Sequence, residues 1–116
     1  MANNAILKKS KEFAVRIIRL YKHLSSEKNE YVLSKQILRS GTSIGANVRE
    51  AVVAQSKREF ISKMNIALKE ASETEYWLEL LHETEYLTNI QFDSIYPDCQ
   101  ELNKLLTSIL KTANSG

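Results

Sequence analysis

Six cations occupy one short stretch of the chain: Lys8, Lys9, Lys11, Arg16, Arg19 and Lys22. At ideal helical spacing they project within an arc of about 160°, and Glu12 is the only acid among them. Lys35, Arg39, Arg49 and Lys57 share the outer side of a following helix, and Lys28, Arg58 and Lys63 add charge near the turns. One sign of charge on one face is the electrostatic footprint of a surface that meets phosphates. Two other readings stay open: a solvated face, and a face that meets the acidic part of a neighbouring subunit. The sequence has no zinc-finger spacing and no aromatic-lined RNA platform, so binding to RNA or DNA would be backbone-directed and weakly sequence-specific.

A second constellation lies in the stretch RSGTSIGANVREA, residues 39–51. Gln36, Ser40, Ser43, Asn47, Glu50 and Ala54 follow one another by alternating steps of four and three, so they form a continuous polar seam along one helix. Its middle is small, and Gly41 and Gly45 stand beside it. Three roles compete for it: close packing of two helix axes, a buried polar network that fixes register, and a ligand site. An antiparallel turn near residue 57 makes facing positions sum to about 114, which sets Ser40 opposite Thr74. Glu75 projects close to the core stripe between Met64, Leu68 and Leu78, where a carboxylate needs hydrogen bonds. It is therefore expected to bond to hydroxyls around Ser40 and Ser43.

Other reactive residues point away from chemistry. His23 and His82 are alone on their helices, and no Glu-x-x-His pair of the di-iron type exists. Cys99 falls on an apolar stripe and reads as a small hydrophobe. No glycine loop could cradle a phosphate. Neither a catalytic residue, a metal nor a cofactor is expected. Glu70, Glu73, Glu79 and Glu83 lie near Tyr76 and Trp77, as a solvated face or a contact between subunits. Residues 1–69 hold 14 Lys/Arg against 5 Asp/Glu, a net of +9, and residues 70–116 hold 2 against 9, a net of −7.

The elements that carry these residues follow from period. Three glycines and one proline are too few for the turns of a β-protein. Apolar positions recur at helical spacing in four segments, about 5–24, 31–55, 59–86 and 90–113. The stripes are Ile6, Phe13, Ile17, Leu20, Leu24; Leu33, Ile37, Gly41, Ile44, Val48, Ala51; Phe60, Met64, Ala67, Ala71, Leu78, Leu81; and Phe92, Ile95, Cys99, Leu102, Leu106, Ile109, Ala113. Short polar breaks between them force antiparallel neighbours, so the chain reads as an all-α, up-down-up-down four-helix bundle in one domain. Thr88 or Asn89 is the expected cap of the last helix, and Pro97 is expected to kink it near Asp93–Pro97 without ending it. A single cysteine suits a reducing compartment. The N-terminus lacks the apolar region of a signal peptide, and no apolar run approaches the ~20 residues of a membrane span. The expectation is a cytoplasmic protein without a membrane partner.

LRSGTSIGANVREA and FISKMNIALKEASETEYWLELL resemble a bacterial four-helix-bundle family. It is the ribosomal-protein-S23-like family, encoded in intervening sequences of 23S rRNA genes. A Ser-x-x-Ser-Ile-x-x-Asn pattern is matched by Ser40, Ser43, Ile44 and Asn47, and a Ser-x-x-Glu pattern by Ser72 and Glu75. The closing segment YLTNIQFDSIYPDCQELNKLLTSILK is similar too. The resemblance implies a helical bundle without an assigned enzymatic activity. Relatives include accessory proteins of diversity-generating retroelements, pentameric barrels with a basic surface, thought to bind nucleic acid and a reverse transcriptase. It therefore implies a homo-oligomer, with a pentamer as the model. The reading that results is a non-enzymatic, self-associating bundle that binds nucleic acid through helices 1 and 2. The alternative is a scaffolding oligomer that binds a protein partner.

Overall fold

The computed structural model describes residues 2–115, with side chains from Asn4 onward. Four α-helices follow in order: α1 (Ala2–Ser26), α2 (Leu33–Val52), α3 (Lys57–Glu83) and α4 (Asn89–Ser115). They pack in sequence, α1 on α2, α2 on α3 and α3 on α4, and α1 meets α4 more loosely to close the bundle. The molecule measures 46 × 21 × 19 Å, about the length of its longest helices.

Local chemistry sets the helix ends. Buried Glu30 starts α2: its carboxylate accepts from the backbone N–H of Val32, Leu33 and Ser34 at 3.3, 3.1 and 2.7 Å. Three orphan donors of the first turn are thereby satisfied. Ser56 caps α3 by accepting from Glu59 N–H at 3.0 Å. Thr88 and Gln91 form a reciprocal capping box at α4, with bonds of 3.1 and 2.9 Å. α3 stops at Glu83, three residues before the expected end. Glu85 adopts φ 70, and Tyr86 N–H turns back to Leu81 O at 2.9 Å. α2 begins and ends inside its expected range for similar reasons, since Glu30 holds the chain before Leu33 and the α2–α3 turn needs residues 53–56.

The core runs along the axis through Ile6, Phe13, Ile17, Leu24, Ile37, Ile44, Val48, Met64, Leu78, Leu102 and Leu106, all buried. Two polar positions interrupt the stripes, Ser10 on α1 and Thr74 on α3. At the end of α4 the buried residue is Leu110, and Ile109 and Ala113 are only half-buried. The strict heptad expectation drifts off the core there because a straight helix has 3.6 residues per turn rather than 3.5. α4 runs unbroken through Pro97, which faces outward. Among the described residues, no helix is long and apolar enough to cross a membrane.

Candidate nucleic-acid interface

The basic face stands on α1 and α2, and two glycines set how closely these helices approach. A Cβ on Gly41 would lie 2.7 and 2.8 Å from the γ-carbons of Ile17. One on Gly45 would lie 3.3 Å from Ser10 O. The small residues of α2 therefore serve close packing against α1. Gly45, Ala46 and Thr42 face Leu7, Ser10 and Ala14 across a shallow groove of about 320 Å³, with Lys11 and Arg49 on its two banks.

The ten cations separate into two groups. Three are engaged by acids. Lys9 Nζ lies 3.3 Å from Glu101, and Arg16 Nη1 lies 2.6 Å from Asp98 Oδ2. The Arg16 guanidinium also donates to Ser94 O and Ser94 Oγ, at 2.9 and 2.7 Å. Arg39 bridges Glu70, at 2.9 Å, and Glu73. Lys8, Lys11, Arg19, Lys22, Lys35, Arg49 and Lys57 are exposed and have no carboxylate within ion-pair distance among the described residues, but Lys57 does not share the outer side of α2 as expected: α2 ends at Val52 and Lys57 is the first residue of α3. The arc on α1 thus divides: Lys9 and Arg16 on its α4 side are neutralised, while Lys8, Lys11 and Lys22 carry free charge, as does Arg19, which borders α4.

The polar seam faces α3, as an antiparallel turn requires. Ser40 and Thr74, both fully buried, share a hydrogen bond of 2.9 Å between their hydroxyl oxygens. Thr74 Oγ1 also donates to Glu70 O at 2.7 Å. Ser43 spends its hydroxyl on Arg39 O at 2.6 Å, and Asn47 Nδ2 donates to Ser43 O at 2.9 Å. Both bonds lie within α2. Glu50 is exposed and pairs with Lys63 at 2.8 Å. Ser72 is exposed and does not join the seam.

Glu75 corrects the sequence reading. It bonds to neither Ser40 nor Ser43 but faces α4, where Tyr96 Oη lies 3.3 Å from Glu75 Oε1 and 2.6 Å from Glu79 Oε2. One residue is 100° on a helix, and that step carries position 75 from the α2 side to the α4 side. Position 74 faces Ser40, and a neutral hydroxyl takes the buried place. Burial pushes the Glu75 carboxyl above its ordinary range, and the neighbouring Glu79 adds to this against the Tyr96 hydrogen bond. The Tyr96 phenol is held well above its usual value, first by its bond to Glu79 and then by burial. Glu73 moves the other way: Trp77 Nε1 donates to it at 2.9 Å, and Arg39 reinforces the effect, so its pKa falls.

Sequence reasoning set Thr74 opposite Ser40 but gave the hydrogen bond to Glu75, and it missed Glu30, Asp98 and Tyr96 as bonding partners. Cys99 is buried, with Sγ 3.4 Å from Ala71 O, and burial raises its thiol pKa far from the reactive range. Among the described residues, no group of His, Cys, Asp and Glu is arranged to hold a metal ion.

The chain is similar to known proteins along nearly its whole length. A crystal structure of a protein with unknown function from the S23 ribosomal protein family of Bacteroides thetaiotaomicron VPI-5482 is 65% identical. The match covers 96% of this chain and 99% of that one, with a TM-score of 0.94. No curated protein matches the chain. The model of the 23S rRNA-intervening sequence protein family matches residues 2–108. The chain therefore belongs to the 23S rRNA-intervening sequence protein family.

Proposed function

We propose that this protein is a non-enzymatic, self-associating bundle of the cytoplasm that binds the phosphate backbone of RNA or DNA through the outer face of α1 and α2. One observation carries the reading: among the described residues, six exposed cations on these two helices, Lys8, Lys11, Arg19, Lys22, Lys35 and Arg49, have no acidic partner, while Lys9, Arg16 and Arg39 are neutralised by acids of α3 and α4. Charge left unpaired on one face attracts polyanions and releases their counterions on binding. The test is fluorescence anisotropy with labelled RNA and duplex DNA over a salt series, using nuclease-treated protein of known oligomeric mass. Replacing Lys8, Lys11, Lys22 and Arg49 by Gln is expected to flatten the slope of log K against log salt by up to about 3.6 on duplex DNA. The variant Lys9→Gln should leave the slope unchanged. Absence of binding at low salt, or a slope that the four substitutions do not alter, overturns the reading.

A second reading, a scaffold that binds a protein, is favoured by exposed Tyr76 and Ile66 on acidic α3. Aromatic and aliphatic groups of this kind are enriched at protein contacts. Tyr76→Ala would then abolish capture of a protein partner and leave nucleic-acid affinity unchanged.

A further inference from the structure

α1 and α4 do not close along their upper halves. A cleft of about 490 Å³ remains there, with Leu20 on the α1 side and Leu87, Ile90 and Ile95 on the α4 side. Its lower end is crossed by the Arg16 bridge to Ser94 and Asp98. The apolar wall is incomplete, since Ile90 is 84% exposed at the rim. Arg19 and His23 both line the cleft and stand one turn apart on α1, on the same face. Arg19 has no acidic partner among the described residues. His23 Nε2 is buried and has no hydrogen-bond partner among the described residues. A buried ring nitrogen without a partner is costly and asks for one.

We propose that this cleft binds a small amphipathic carboxylate, with its head on Arg19 and His23 and its apolar chain along Leu20, Leu87, Ile90 and Ile95. The volume lies within the range of small-molecule sites, and the lining has their character, an apolar wall with a few convergent polar groups. A carboxylate head supplies what the two α1 groups lack: a negative charge for the guanidinium and, once the His23 ring turns its buried Nε2 toward the cleft, a hydrogen-bond partner for that nitrogen. The tail covers Ile90, an apolar surface otherwise left to water. The Arg16 bridge closes the lower end and confines the ligand to the upper cleft. The site is separate from the α1–α2 face, and only Arg19 is common to both proposals.

Isothermal titration of the full chain with decanoate, below its micelle concentration, tests this. One decanoate per chain is expected, with a dissociation constant of roughly 100 μM, ordinary for a ligand of this size. Acetate and decanol, lacking tail and head respectively, should each bind at least tenfold more weakly. Arg19→Gln and His23→Leu should each weaken decanoate at least fivefold, while Lys11→Gln leaves it unchanged. Melting curves establish that the variants fold. Should His23→Leu unfold the chain, Ile90→Asp takes its place, with the same loss expected. Absence of decanoate binding, or binding indifferent to these substitutions, overturns the proposal. So does a result in which Arg19→Gln and His23→Leu lower the oligomeric mass but not decanoate affinity, since the cleft would then be a subunit contact. Nucleic-acid affinity is read separately, with the variant lacking Lys8, Lys11, Lys22 and Arg49, so the two proposals fail independently.

Discussion

Gly41 and Gly45 look alike in the sequence, yet their surroundings differ. A methyl group at Gly41 meets the branched, buried side chain of Ile17 below 3.0 Å, whereas at Gly45 it lies 3.3 Å from the Ser10 carbonyl oxygen, a milder crowding that a shift of a few tenths of an ångström relieves. Overpacking costs about 1–3 kcal/mol, and replacing a helical glycine by alanine returns about 1 kcal/mol. Gly41→Ala is therefore expected to lower the melting temperature and Gly45→Ala to leave it nearly unchanged, as read by circular dichroism. Glu75 gives a second test. Burial favours its protonated form in the folded chain, so its cost to stability is full above the raised pKa. That cost disappears as pH falls through the raised value toward the unfolded one. Glu75→Gln should melt a few degrees higher than the parent at pH 7, with the gap closing by pH 4. Glu73 has a lowered pKa, so its favourable share persists at neutral pH and is lost in acid. The Ser40–Thr74 pairing was legible from turn position alone. Glu75 was not, because a one-residue difference in facing direction exceeds what a stripe count resolves.

At the scale of elements, periodicity carried the reading far. All four helices and most of their buried positions follow from apolar spacing and short polar breaks. The boundaries were less legible because three were set by features that composition does not display. Glu30 caps α2 from two residues before the usual capping position, and Asn29 and Glu85 take left-handed backbone conformations. Asparagine tolerates that region and glutamate does so at a cost of about 1 kcal/mol. Glu85→Gly is expected to stabilise the protein by up to about 1 kcal/mol, since the strain is relieved where the turn closes α3. Chemical denaturation reads this as a higher midpoint at constant slope. Asn29→Gly should gain much less.

Across the whole molecule, charge separates as the sequence suggested, but part of the separation is used internally. Acids of α3 hold Arg39 on α2, and acids of α4 hold Lys9 and Arg16 on α1. The α1–α4 seam packs most loosely, and two ionic ties cross it. Arg16→Gln is therefore expected to lower the melting temperature by a few degrees in dilute buffer and by less in 1 M salt, where exposed pairs are screened. The division of the basic face could not be read from helix projection, since projection omits the neighbouring helix and its carboxylates. The close approach at Gly41 has one more result. Because α1 and α2 are pressed together there, their lysines and arginines stand on a single stiff plate rather than on two independent rods. The plate works as a stencil: the distance between its two rows of charge is set by a glycine that carries no charge. If the face binds phosphates as proposed, a larger residue at position 41 would widen the stencil and change the spacing it selects, without touching any cation.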